Sequence, residues 1–127
     1  MVLVSSCMQK DLAWIGPNLP VSTAASIMRC RGVGSLVVMQ DGRMIGIVTE
    51  RDIVHKVIAL HRIPEWTRVA AIMSRSVVSI ASSRSLYEAA DLMSRARIRH
   101  LPVEEADGVV GIFSARDLLR PLAIDDL

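Results

Sequence analysis

The sequence predicts an α+β fold of two β-α-β-β-α units, packed with pseudo-two-fold symmetry into one module. Three observations carry this prediction. The second half repeats the first at a constant 65-residue offset, which carries Met8 onto Met73, Gly46 onto Gly111, and Arg51-Asp52 onto Arg116-Asp117 without a gap. Such a repeat implies two copies of one supersecondary unit, and it puts the expected function at the groove between them. Within each copy the apolar period switches from helical to strand-like at matched positions. Finally, 127 residues suffice for one shared core, whereas two independent domains of roughly 60 residues would each be marginal. The repeat divides the chain into residues 1–62, a linker at 63–68, and residues 69–127.

Each element follows from local pattern. A short Met-containing helix opens each copy, at Ser5–Gln9 and Val69–Ser74, and Ala13-Trp14-Ile15 and Val77-Val78-Ser79-Ile80 read as strands. Val21, Ala24, Ala25 and Met28 then fall at i, i+3, i+4 and i+7, one apolar stripe of a helix, and Leu86, Ala89, Ala90 and Met93 repeat it. Ser85 with Glu88 is a capping-box pattern, and Gly32 is a natural stop. Strands Ser35–Met39 and Met44–Val48 flank an Asp41-Gly42 turn, a hairpin signal. Leu101–Val103 and Val109–Phe113 form its counterpart around Ala106-Asp107-Gly108.

A further helix follows each hairpin, capped by Thr49 or Ser114. The first is expected to reach about His61 with Ile53, Val54, Val57 and Ile58 inward; the second should end or kink at Pro121. Trp66 in the linker is expected to pack against the module.

Composition narrows the function classes. Apolar residues make up 51% of the chain with one Phe, one Tyr and two Trp, so aliphatic side chains and Met must fill the core. Met8, Met28, Met73 and Met93 fall at repeat-equivalent core positions. A net charge of +2 argues against a nucleic-acid partner, and the Arg29/Arg31 and Arg95–Arg99 clusters lack aromatic stacking residues. Cys7 and Cys30 are isolated and read as reduced thiols of a cytoplasmic protein. No secretory leader and no membrane-spanning run is expected. His55, His61 and His100 lack metal-ligand spacing, and no residue pair supplies an activated nucleophile.

The chemistry concentrates in Gly46-Ile47-Val48-Thr49-Glu50-Arg51-Asp52 and Gly111-Ile112-Phe113-Ser114-Ala115-Arg116-Asp117. A hydroxyl at a helix N-terminus sits beside unpaired N–H groups and the positive dipole end, suited to a phosphate or polar group. An Asp one turn in offers two acceptor oxygens to vicinal ribose hydroxyls. The Gly before the strand end would let a flat base approach the backbone, and Arg51 and Arg116 add cations. The same Thr-x-x-Asp spacing is also that of a helix cap.

These paired motifs, with the element order around them, resemble the CBS (cystathionine beta-synthase) domain, of which a tandem pair is called a Bateman module. The resemblance covers nearly the whole chain. It implies a non-catalytic regulatory module, energy-sensing in character, with no required cofactor. Its ligand would be AMP, ADP, ATP or S-adenosylmethionine, held in the cleft between repeats. Carried over by motif position, one site would combine Thr49 and Asp52 with Ile80, Ile98, Arg99, His100 and Pro102. The other would combine Ser114 and Asp117 with Ile15, Gly34 and Ser35. Repeat 2 carries Arg97, Arg99 and His100 where repeat 1 has Gly32, Gly34 and Ser35, so the Thr49/Asp52 site is expected to be the tighter. The resemblance further implies a homodimer formed through the outer helices Ile53–Leu60 and Leu118–Leu122, and an effector protein that receives the signal. The alternative is a dimerisation module with vestigial nucleotide grooves.

Overall fold

The computed structural model of the chain describes residues Met1–Leu119. The order is α1 (Val4–Cys7), β1 (Trp14–Ile15), α2 (Val21–Arg31), β2 (Ser35–Gln40), β3 (Arg43–Thr49) and α3 (Glu50–Ile53), which runs on into a π-helical turn at Val54–Ile58. Single 3-10 turns at Pro64–Trp66 and Val69–Ala71 lead to β4 (Ile80–Ala81), α4 (Leu86–Ala96), β5 (His100–Glu105), β6 (Gly108–Ser114) and a 3-10 segment Ala115–Leu119. The fold is α+β. Its strands form two three-stranded sheets of order β1-β2-β3 and β4-β5-β6, each with one parallel and one antiparallel pairing.

The described chain packs as two compact units, residues 13–77 and residues 1–12 with 78–119. This packing division differs from the division of the repeat, because each repeat's opening segment joins the body of the other. In the first unit Ile47 and Ser74 exchange two backbone hydrogen bonds of 3.0 and 2.9 Å, and in the second Gln9 and Ile112 exchange theirs at 2.8 and 3.1 Å. The bridges Pro20 to Arg68 and Leu3 to Ser85 repeat the exchange at the start of the helices.

The repeated glycines explain how so close a pairing is made. A Cβ on Gly46 would lie 2.8 Å from both the Met73 sulfur and the Ser74 carbonyl oxygen, and one on Gly111 would run into the Gln9 carbonyl. The chain's own returning segment thus lies directly against both glycines. Gly46 and Gly111 are therefore packing residues.

Local signals account for the other boundaries. Asp41 and Gly42 both take positive φ, 52° and 75°, the geometry of a two-residue type I′ turn whose twist suits the strands. Helix α2 ends on Gly32 at φ 64°, but α4 ends on Arg97 at φ 56°. An arginine thus holds a backbone conformation that suits glycine better. Ser85 and Glu88 make the expected capping box.

One core gathers Ile15, Val21, Ala24, Met28, Leu36, Val38, Val48 and Val57 with the borrowed Val69, Ile72 and Met73. The other gathers Ile80, Ala89, Met93, Leu101, Val103 and Phe113 with the borrowed Val4, Cys7 and Met8.

Several expectations are corrected. Of the residues expected to point inward after α3, only Val57 is fully buried; Val54 and Ile58 are 53% and 55% exposed. The π turn, closed by the Ala59 N–H on the Val54 carbonyl at 2.8 Å, advances more residues per turn than an α-helix and shifts the apolar stripe. Ala25 is exposed, and Trp66 is 80% exposed, so it does not pack. Strand β4 pairs only at Ile80 and Ala81, leaving Val77, Val78 and Ser79 outside the ladder. Residues 120–122 and the expected break at Pro121 lie outside the described residues.

Because the atoms facing Gly46 include a backbone carbonyl, relaxation is limited. Gly46→Ala is expected to cost about 2 kcal/mol, typical of overpacking, seen as a lower urea midpoint with an unchanged slope. A wild-type midpoint would contradict this close approach.

Candidate functional site

The two motif hydroxyls stand at equivalent corners, where the last residue of a hairpin strand becomes a helix cap. Thr49 and Asp52 form a full capping box. Asp52 Oδ2 accepts from the Thr49 N–H at 2.9 Å and the Thr49 hydroxyl at 3.1 Å, while Thr49 Oγ1 accepts from the Asp52 N–H at 3.2 Å. In repeat 2, Asp117 Oδ2 accepts from the Ser114 N–H at 2.8 Å and the Ser114 hydroxyl at 3.3 Å. The full capping box is realised at Thr49, and at Ser114 the carboxylate-to-strand-end half of it is seen.

The corners differ in access and charge. The Asp52 side chain is 12% exposed, whereas Asp117 is 1% exposed. Asp52 Oδ1 pairs with Lys56 Nζ at 3.0 Å, and the same ammonium donates to the Ile72 carbonyl at 2.9 Å. Lys56 is a residue that the sequence reading overlooked. Its signal was present, since a Lys four residues after an Asp on one helix reaches it.

The hairpins bring each corner's same-repeat neighbours to it. Ser35 pairs with Thr49 across β2–β3, and the Glu50 N–H donates to the Gly34 carbonyl at 3.0 Å. His100 pairs with Ser114 across β5–β6, and the Ala115 N–H donates to the Arg99 carbonyl at 2.9 Å. Arg51, Arg116 and Arg99 are exposed, and Ile98, His100, and Gly34 are partly buried. Ile15, Ile80, Ser35 and Pro102 are buried, the two isoleucines within the cores of their own units.

Chemically, each corner offers a hydroxyl, a carboxylate and a helix start. The Asp52 corner keeps acceptor capacity, because a carboxylate oxygen can take two donors and Oδ1 has the one from Lys56 among the described contacts. Among the described residues no group of three or more His, Cys, Asp or Glu is placed to hold a metal ion, and no helix is long and apolar enough to cross a membrane.

The CBS domain model matches residues 4–59 and 69–124. The chain belongs to the CBS domain family. It is 35% identical over 118 residues to the CBS domain-containing protein YhcV of Bacillus subtilis, covering 93% of this chain and 84% of that protein. It is 29% identical over 111 residues to the inosine-5'-monophosphate dehydrogenase of Thermoplasma acidophilum, covering 87% of this chain but only 21% of the enzyme. Among solved structures, the CBS domain pair of protein MJ0100, determined in complex with 5-methylthioadenosine and S-adenosyl-L-methionine, superposes with a TM-score of 0.88. That match has 25% identity and covers 98% of both chains. The matched family model is that of the CBS domain, and the chain is similar to a CBS pair whose structure holds two adenosine derivatives.

The caps have a consequence that is independent of any ligand. Thr49→Ala removes a donor and an acceptor from the box and is expected to cost about 1 kcal/mol without ligand. Equilibrium denaturation of the ligand-free protein checks it, and an unchanged stability would contradict the box.

Proposed function

We propose that this CBS pair is a non-catalytic sensor of an adenosine-containing ligand, with its principal site at Thr49 and Asp52. The observation that carries the reading is the Asp52 corner: a partly accessible carboxylate beside a hydroxyl and a helix start, with an acceptor position left on Oδ1. Vicinal ribose hydroxyls are donors that match such acceptors. AMP, ADP, ATP and S-adenosylmethionine share that ribose. The complex of MJ0100 supports an adenosine-type ligand by relationship. Following the family resemblance, Ile80, Ile98, Arg99, His100 and Pro102 complete this site, and Ile15, Gly34 and Ser35 complete the one at Ser114 and Asp117. Occupancy favours one conformation of the pair by no more than the ligand's differential affinity for it, and an effector protein reads the change.

The near-complete burial of Asp117 favours the second reading for repeat 2, a corner kept as a cap with a vestigial groove. The exposed Val54, Ile58 and Leu60 support self-association through the helical face after α3. Ile58→Asp is expected to lower the sedimentation coefficient to that of a monomer; a wild-type variant value, or a monomeric wild type, would remove this dimer.

Thermal unfolding with AMP, ADP, ATP and S-adenosylmethionine tests the sensor. A ligand at about 100 times its dissociation constant adds about 2.7 kcal/mol, a rise of several degrees in Tm at this size. The rise should vanish in Asp52→Ala and persist in Asp117→Ala. No rise with any of the four would leave the interaction module as the reading.

A further inference from the structure

We infer that Lys56 sets the charge preference of the Thr49–Asp52 site, fitting it to an anionic, phosphate-bearing adenosine ligand over a neutral or cationic one. The inference rests on the adenosine reading above and names the ligand class within it. A lone Asp52 carboxylate would put a fixed negative charge against the ribose. A phosphate on the same nucleoside lies one sugar ring away, well inside the screening length of about 8–10 Å, so carboxylate and phosphate would repel.

Lys56 removes that conflict. Its Nζ lies 3.0 Å from Asp52 Oδ1, and its bond to the Ile72 carbonyl at 2.9 Å holds the ammonium at this place. Two of its three N–H donors are used by these contacts, and the third has no protein partner among the described residues. The Lys56 side chain is 45% exposed, so the remaining donor is open to an approaching anion. The pairing also leaves Oδ1 capacity for a sugar hydroxyl, so compensating the charge does not close the acceptor. At the repeat-equivalent position the chain has Pro121, whose ring carries no ammonium. The two motif copies therefore differ in the charge they present, and only the first supplies its Asp with a cation from this position.

Two-dimensional 1H–15N spectra of the 13.9 kDa chain resolve the site, with the Thr49 and Asp52 amides as reporters. Wild type, Lys56→Met and Lys56→Arg are titrated with AMP, adenosine and S-adenosylmethionine. Wild type should bind AMP more tightly than adenosine or S-adenosylmethionine at these amides. Lys56→Met keeps the aliphatic stem and loses the charge. It should weaken AMP about tenfold, the scale of one charge-assisted hydrogen bond, with adenosine changed by less than about twofold. Lys56→Arg should restore the AMP preference. Equal weakening of AMP and adenosine would mean that Lys56 only supports the fold and would overturn the inference. So would a wild type without preference for AMP, a measurement that needs no variant. Wild-type amides unmoved by any of the three ligands would instead overturn the adenosine reading itself, and this inference with it.

Discussion

The constraint on which the rest depends is the backbone pairing laid across Gly46 and Gly111. Neither body of roughly 60 residues would bury much surface alone. Each is completed by a segment from the other repeat. Val69, Ile72 and Met73 enter one core, and Val4, Cys7 and Met8 enter the other. Those segments can lie flat on β3 and β6 only because the residue beneath has no Cβ. The exchange also explains why the strongest sequence matches between the copies include a glycine in mid-strand, where glycine alone would weaken the strand. Its gain is a close approach that lets the returning segment exchange two backbone bonds with the outer strand of each sheet.

From that anchored edge follows the geometry of the corner. Strand β3 is held on one side by β2 and on the other by the segment at Ser74. Its last residue, Thr49, is therefore placed by the sheet, and the helix start is placed by Thr49. The capping box then serves the fold whatever else it does, contributing about 1 kcal/mol. Such a residue has two selective reasons to stay polar, so its presence alone does not argue for a ligand. What separates the corners is what remains after capping. At Asp52 an oxygen faces a partly exposed ammonium, whereas Asp117 is almost wholly enclosed.

Much of this was legible in the sequence, for reasons that can be named. The helix carrying Val21, Ala24 and Met28 inward, the Asp41-Gly42 turn, the Ser85/Glu88 box and the stop at Gly32 are local signals, and local backbone physics satisfies them where they stand. Non-local facts were not legible. The pattern around Gly46 suited a ligand as well as a returning chain, and only the three-dimensional path distinguishes them. The π turn at Val54–Ile58 changed which side chains face inward, a shift invisible to a 3.6-residue period. Trp66 was expected to pack because large aromatics usually bury surface, yet its 3-10 turn leaves the ring in solvent. At the candidate site, the pairing of Thr49 with Asp52 and of Ser114 with Asp117 was readable from spacing. Lys56 is not marked by the repeat, since the 65-residue offset matches it only to Pro121.

That mismatch points to how a duplicated unit divides its labour. Residues that agree between the copies do structural work twice: the glycines under the exchanged segments, the caps and the core methionines. Residues that disagree are free of that duty and can differ in chemistry. Gly32 ends α2 without strain, while Arg97 ends α4 in the same left-handed backbone, at a cost of order 1 kcal/mol for a residue with a Cβ. A cationic side chain is thereby presented where the other copy has none. Lys56 and Pro121 form the reciprocal case, with the cation now in repeat 1. The two copies thus carry these positive charges at different positions of the repeat. The matched positions keep the two copies alike in fold, and the unmatched ones make them differ in charge.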